Sequence, residues 1–562
     1  MNISRRGFLK AGALTAAGLA GGLPAQASQA ETPSAPLQGT LRTTSFGPVQ
    51  GRENEAGGGL AWYGVPYGAA PSGSLRWQPP QDPAPWSDPL DCTAPAPMAM
   101  QCCNGMAAGT EDCLKLDVYA PDGTAGLPVV VYFHGGGNRT GSPEELPGGS
   151  LSARAECVLV SVGYRLGLLG FNSLPALQNG PDSTGNYALL DAAKAFDWVQ
   201  ENIASFGGDP ANVTAMGFSA GGRDVLAMLA SPYFAGRFQR AVSLSGGLTM
   251  ADPDASARQT AAAFAPLAVE DGLFSDPTAA ADWLLTNGED VTRWLYDLDP
   301  ARVCLLMADG GGIRMSSFPH LFADGVLLPE NGLDAPLSCP VPLLLVTGTT
   351  EFSLFNPLTT TVQTNGLSAA DTAAARDFAT AYGSELYRIF NGGAAAASLS
   401  SRSAAPVWVC EIAYGGADSA SPIRAMGLGS YHGISLPLLS GENNLSGFVS
   451  LSSPGFAALS DRFTAAFRSF IRTGTPDGAG VDWQPWTAAS PRALVLDAGN
   501  SADSAVFILQ NTPSDCGAVL DRLDADNSVP DSIKELVIRQ ILNGRIFSAE
   551  LDARYQNPSL WV

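Results

Sequence analysis

Residues 213–222 read Val-Thr-Ala-Met-Gly-Phe-Ser-Ala-Gly-Gly, and the fold hinges on this stretch. An apolar run stops at Gly217, Ser219 follows, and 224–230 is a helix-forming run. The pattern predicts a strand, a sharp turn carrying a serine, and a helix. In G-x-S-x-G both glycines have a steric reason, because such a turn has no room for a Cβ on either side of the serine it exposes. A chain of 562 residues with 63 glycines could also produce this pattern as an ordinary glycine-rich loop. The flanking sequence has to decide.

Upstream, 129–133 (V-V-V-Y-F) is a continuous apolar run of strand length, as expected of a strand buried on both faces. Residues 157–162 repeat the type. Over 187–206, Leu189, Ala192, Phe196, Val199 and Ile203 recur at three- and four-residue steps and predict a helix, which Gly207-Gly208-Asp209-Pro210 ends. Further strands are expected at 213–216, 241–245, 343–347, 407–412 and 493–496. Strand and helix alternating in this way give an α/β class, a mostly parallel central sheet with helices on both faces. The long stretches 250–335 and 357–400 read as largely helical insertions, placed to roof a site at the strand ends. Residues 31–59 read as a loose start or hairpin. An apolar pattern at 533–546 predicts a helix docked on the body.

Composition narrows the function. The formal charge of -22 argues against nucleic acid or an anionic membrane as partner. With 3 His and neither HExxH nor paired CxxC, no catalytic metal and no cofactor are expected. Ser4-Arg5-Arg6-Gly7-Phe8-Leu9-Lys10, an apolar run over 11–23 and Ala-x-Ala at 25–27 form a twin-arginine export signal over 1–30. Cleavage is expected after Ala27 or Ala30, which places the chain in the periplasm or outside the cell. The apolar run is too short to span a bilayer, and no cysteine after the cleavage site offers a lipid anchor. The rest, 31–562, reads as one domain with 519–562 as a C-terminal helical extension. Of 9 Cys, Cys102, Cys103 and Cys113 lie close together in a loop-rich region that suits a short-loop disulfide, with the pairing open.

A serine hydroxyl needs a base, and the base an orienting acid. The α/β-hydrolase chain order is Ser, acid, His. His134 precedes Ser219 and fails, whereas His320 and His432 both follow it. His432 is preferred because His320 leaves fewer strand-end carboxylates upstream. Glu351, just past the strand at 343–347, is the leading acid, against the bland alternative of a solvated loop carboxylate. His134-Gly135-Gly136-Gly137 follows the strand at 129–133, and its bare glycines suit backbone N–H donors for an oxyanion.

With those motifs in place the chain resembles the type-B carboxylesterases, the group of bacterial para-nitrobenzyl esterases and cholinesterases, from about residue 40 to about 520. The resemblance rests on Y-G-V-P-Y…L-R-W-Q-P-P at 63–80, E-D-C-L at 111–114, Y-F-H-G-G-G at 132–137 and G-Y-R-L-G-L-L-G-F at 163–171. It continues through G-N-Y-A-L-L-D at 185–191, the block at 198–214, G-F-S-A-G-G at 217–222 and H-G-I-S-L-P at 432–437. It implies the α/β-hydrolase fold, Ser219 as nucleophile, Glu351 as acid and His432 as base. It also implies an oxyanion hole from the N–H groups of Gly136, Gly137 and Ala220, and buried ion pairs Arg76–Glu111 and Arg165–Asp191. His134 and His320 become structural. The implied activity is carboxylic-ester hydrolysis of a small-molecule substrate through an acyl-enzyme. Amide, carbamate or thioester hydrolysis with the same triad is the alternative, and a non-catalytic binding protein on the same fold a remoter one. Phe218 stands where the family usually has Glu, Asn138 where an aromatic is common, and Thr350-Glu351-Phe352 where D-E-G is usual. Asn138, Phe218, Phe352 and Phe355 are the expected substrate-pocket residues.

Overall fold

In the computed structural model, eleven strands among the described residues pair in one sheet. In chain order they are β1 (Arg52–Asn54), β2 (Gly59–Pro66), β3 (Lys115–Pro121), β4 (Leu127–Phe133), β5 (Val158–Val162), β6 (Gly208–Phe218), β7 (Arg240–Leu244), β8 (Leu343–Gly348), β9 (Val407–Ile412), β10 (Arg492–Asp497) and β11 (Val506–Asn511). Their spatial order is β11-β10-β9-β8-β7-β6-β4-β5-β3-β2-β1. Neighbours from β5 through β10 run parallel, and the outer strands are antiparallel. The structure describes residues 39–54, 58–178, 180, 184–307, 318–355, 367–415, 423, 426–538 and 549–556. The export signal read at 1–30 lies outside them, as does the end of the helix expected at 533–546, described as Asp531–Leu536.

The parallel core explains the apolar runs. Val129, Val131 and Phe133 of β4 point into one hydrophobic cluster, and Val130 and Tyr132 into the cluster on the other face. Both faces need apolar side chains, so the strand alternation disappears. One face is covered by α1 (Tyr187–Asn202), whose Leu189, Ala192, Phe196 and Val199 enter the core. After α1 a short 3-10 turn, Ile203–Phe206, closes on Gly207 at φ 89°. The same face receives α2 (Ala220–Ala230), directly after β6. A third cluster joins α3 (Ala369–Arg388) to the C-terminal helices. A π-type turn, Ile389–Gly393, carries α3 into α4 (Ala394–Ser400). The opposite sheet face packs on α5 (Pro454–Thr473) through Phe456, Leu459, Phe463, Phe467 and Phe470.

After β4 the chain crosses to β5 on one side and then to β6 on the other. That reversal opens a crevice at the strand C-ends between β4 and β6, where ligands bind in sheets of this kind. No helix of the described residues is long and apolar enough to cross a membrane.

Two buried ion pairs hold the loops around this edge. Arg76 meets Glu111 through two hydrogen bonds of 2.6 and 2.8 Å. Arg165, just past β5, meets Asp191 of α1 at 2.8 and 2.6 Å, and its backbone N–H donates to the same carboxylate at 3.1 Å. The disulfide expected among Cys102, Cys103 and Cys113 is not formed, and all three are free thiols. The short hairpin 101–108 carries Cys102 and Cys103 toward Cys304, while Cys113 is buried beside Arg165 and Asp191.

Asp191→Ala strands the buried Arg165 guanidinium without its acid, and denaturant unfolding is expected to show a loss of about 3–5 kcal/mol. A loss below about 1 kcal/mol, the size typical of exposed pairs, contradicts the role given to this pair.

Candidate active site

β6 ends at Phe218, and Ser219 turns the chain at φ 54°, ψ -115°. This is positive φ in a non-glycine residue, a strained conformation that concentrates at functional sites. Neighbouring glycines make the turn possible. A Cβ on Gly217 would lie 2.1 Å from the Gly221 carbonyl oxygen, and one on Gly221 would lie 2.2 Å from the Phe133 oxygen. The Ser219 N–H donates to Leu244 O at 2.8 Å, tying the turn to β7.

Two further strand ends supply the partners. Glu351 follows β8 on a short 3-10 turn, and His432 lies on a loop beyond β9. His432 Nε2 is 2.9 Å from Ser219 Oγ, and Nδ1 is 2.8 Å from Glu351 Oε2. The sequence expected these three residues to meet, and the structure brings them into one hydrogen-bonded line. Glu351 is fully buried, and protein donors replace water around it. Oε1 accepts from Ser245 Oγ at 2.5 Å, the Gly348 N–H at 2.6 Å and Thr347 Oγ1 at 3.0 Å, and Asn391 Nδ2 lies 3.4 Å from Oε2. None of these four residues stands out in the sequence. Thr347 and Gly348 were within reach, as the residues that end the strand before the acid. Asn391 sits on the π-type turn, which no sequence pattern announced.

The other two histidines stand apart. His134 stacks on Tyr164 with centroids 4.5 Å apart, and burial lowers it to about 4. His320 stacks on Phe318 and is lowered to about 3, first by burial and then by the Arg223 charge. Both are neutral at pH 7 and neither contacts Ser219.

The loop after β4 passes through Gly136 at φ 96° and Gly137 at φ 68°. Among the described residues none accepts a hydrogen bond from either N–H. Ala220 opens α2, so its N–H has no intrahelical acceptor. The half-buried Glu145 carboxylate holds the start of the loop, accepting from the Gly135 N–H at 2.8 Å and the Tyr132 hydroxyl at 2.7 Å. Asn138 holds its end, donating to Asp224 of α2 at 2.8 Å. Nothing in the spacing of Glu145 or Asp224 marked these roles.

A cavity of about 230 Å³ reaches Ser219 and His432, walled by 245–249 after β7 and by residues of α3, α4 and the turn between them. None of the four expected pocket residues lines it. Asn138 is fully buried on Asp224, and Phe352 packs in the third core cluster. Phe218 and Phe355 lie against the His432 ring, each with centroids 4.9 Å away. The cavity instead takes Arg223, Leu248, Tyr387 and Phe390, which the sequence did not single out.

The family model described as the carboxylesterase family matches residues 38–358. The chain belongs to the carboxylesterase family. Members of this family that it resembles include a para-nitrobenzyl esterase of Bacillus subtilis (strain 168), 29% identical over 486 residues, which span 81% of this chain and 94% of the relative. Liver carboxylesterase of Sus scrofa is 36% identical over 326 residues, 53% of this chain and 54% of that one. Fumonisin B1 esterase of Sphingopyxis macrogoltabida is 40% identical over 222 residues, 37% of this chain and 40% of that one. A solved structure titled thermophylic PNB esterase superposes with a TM-score of 0.65 at 26% identity, over 85% of this chain and 98% of that chain. The fold is therefore that of the α/β-hydrolases, and this carboxylesterase hydrolyses carboxylic esters.

Burial pushes the Glu145 carboxyl up to about 7, against the hydrogen bonds from Tyr132 and Gly135 that favour the anion. A raised carboxyl pKa stabilises the fold below the unfolded value near 4.5, and that contribution is lost as the pH rises through about 7. Glu145→Gln is therefore expected to gain stability on the wild type between about pH 5 and pH 8 in urea unfolding. Asp224, also pushed up to about 7, titrates in both proteins and cancels from the difference. A difference that does not change with pH contradicts the assignment.

Proposed function

We propose that this carboxylesterase works through an acyl-enzyme on Ser219, with His432 as base and Glu351 as its orienting acid. The observation that carries the reading is the unbroken hydrogen-bonded line from Ser219 Oγ through His432 to the buried Glu351 carboxylate. Ser219 Oγ attacks the ester carbonyl while His432 Nε2 takes its proton. Nδ1–H of His432 donates to Glu351 Oε2, which fixes the tautomer and offsets the imidazolium charge. The N–H groups of Gly136, Gly137 and Ala220 receive the developing oxyanion, since bare donors held before the reaction need no reorganisation during it. His432 then protonates the leaving alcohol. A water enters, His432 takes its proton, and the hydroxide attacks the acyl group to release the acid and restore Ser219.

Phe218, Phe355 and Tyr387 surround the imidazole with aromatic rings. They limit its rotation and keep bulk water from its faces. The substrate is a small-molecule ester. The segment at 1–30 would direct the chain through a twin-arginine exporter, so the reaction would take place outside the cytoplasm.

An organophosphonate is expected to label the protein once, at Ser219, and Ser219→Ala is expected to lose about 10⁴- to 10⁶-fold in kcat on a nitrophenyl acyl ester. Wild-type rates in Ser219→Ala contradict the mechanism. Assaying matched esters, amides and carbamates with this variant as blank measures which acyl bond is preferred.

A further inference from the structure

The glycine loop after β4 is held in part by a residue that lies outside it. Gly135 O is 2.9 Å from Nδ1 of His134, and Gly136 O accepts from the N–H groups of Arg139 and Thr140 at 3.2 and 3.1 Å. In a trans peptide the C=O and the following N–H point opposite ways. Holding these two carbonyls therefore turns the Gly136 and Gly137 N–H groups to the other side of the loop. The arrangement stands only while the chain doubles back through Thr140. There the Thr140 carbonyl lies hard against Gly136, and a Cβ on Gly136 would fall 2.0 Å from its oxygen.

The peptide between Thr140 and Gly141 is clasped by Gln101. The Gly141 N–H, opposite the Thr140 carbonyl in that peptide, donates to Gln101 Oε1 at 2.9 Å. Gln101 Nε2 donates back to Gly141 O at 2.9 Å and to Ala99 O at 3.0 Å. One side-chain amide thus reads both backbone groups of one residue, and a flipped amide would set donor against donor and carbonyl against carbonyl. Gln101 is buried, on the strand Gln101–Cys103 of the short hairpin, 40 residues before Gly141 in the chain. Gly141 itself has φ 123°, and a Cβ there would fall 2.3 Å from His134 Nδ1. The clasped residue therefore packs against the start of the same loop.

We infer that Gln101 is a positioning residue for the oxyanion donors, acting through Gly141 on the peptides that aim the Gly136 and Gly137 N–H groups. The inference rests on the acyl-enzyme reading, in which those groups receive the oxyanion. Such donors act only if they are aimed before the reaction, and a small misplacement costs much of their effect. Gln101 is not among the residues that line the cavity at Ser219. Its loss therefore falls on the transition state and leaves substrate binding in place.

The test compares the wild type with Gln101→Met, similar in length but without the amide, and with Gln101→Asn, which keeps an amide but falls one methylene short of Gly141. Rates are normalised to Ser219 titrated to completion with an organophosphonate, so that any loss of folded protein drops out. Both variants are expected to lose about 10- to 10²-fold in kcat on a nitrophenyl acyl ester, with KM within about twofold of the wild type. A trifluoromethyl ketone reads the donors separately. Ser219 Oγ bonds to its carbonyl carbon, His432 takes the serine proton, and the carbonyl electron pair moves to oxygen, giving a hemiketal oxyanion. Its Ki is expected to rise by the factor by which kcat/KM falls. Cys102→Ser, beside Gln101 on the hairpin, is expected to keep wild-type kcat and Ki. Unchanged kcat per titrated site in both Gln101 variants, a loss carried by KM with Ki unchanged, or an equal loss in Cys102→Ser overturns the inference. A wild type that takes no label at Ser219 overturns the acyl-enzyme reading instead.

Discussion

Everything at this site depends on Ser219 being held in a backbone conformation that a free chain avoids. Its φ of 54° costs on the order of 1–3 kcal/mol and persists only where the surroundings over-determine it. They do so here. β6 lies between β4 and β7 in the parallel core, with Gly217 in register with Phe133 and Phe218 with Leu244. α2 begins immediately, and Gly221 presses its backbone onto the Phe133 oxygen. The same close contact joins the serine turn to the strand that leads into the glycine loop. One constraint thus sets two parts of the site, the Ser219 turn and the start of the glycine loop.

The buried acid follows a second logic. A fully buried carboxylate is costly unless the protein supplies the hydrogen bonds that water supplied. Around Glu351 those come from two strand ends and from the π-type turn, through Ser245, Thr347, Gly348 and Asn391. The segment after β7 and the turn between α3 and α4 also wall the cavity. Support of the acid and shape of the cavity are therefore coupled, and changes in either segment act on both.

The parallel core was legible because strands buried on both faces leave continuous apolar runs, as at 129–133 and 343–346. The hydrogen-bonded set of Ser219, His432 and Glu351 was legible because chain order leaves few choices among 3 His. α5 went unread although Phe456, Leu459, Phe463, Phe467 and Phe470 carry its helical spacing. The cavity failed for a different reason. Phe218 was expected to meet substrate because it stands beside Ser219 where the family usually has Glu, but successive strand residues point to opposite faces. Phe218 enters the core behind His432, whereas Arg223, one helical turn further, returns to the cavity. The cysteines show the same limit: closeness in the chain placed Cys102 and Cys103 with Cys113, and a hairpin carried them away.

The central claim is that hydrolysis passes through an ester bond on Ser219. Rapid acid quench during turnover, followed by intact-mass and peptide-mass measurement, reads it directly. The expected result is a protein heavier by one acyl group, located on the peptide containing Ser219, that disappears as the ester is consumed. Hydrolysis at full rate with no adduct at any quench time, or with the acyl group on another residue, would contradict it.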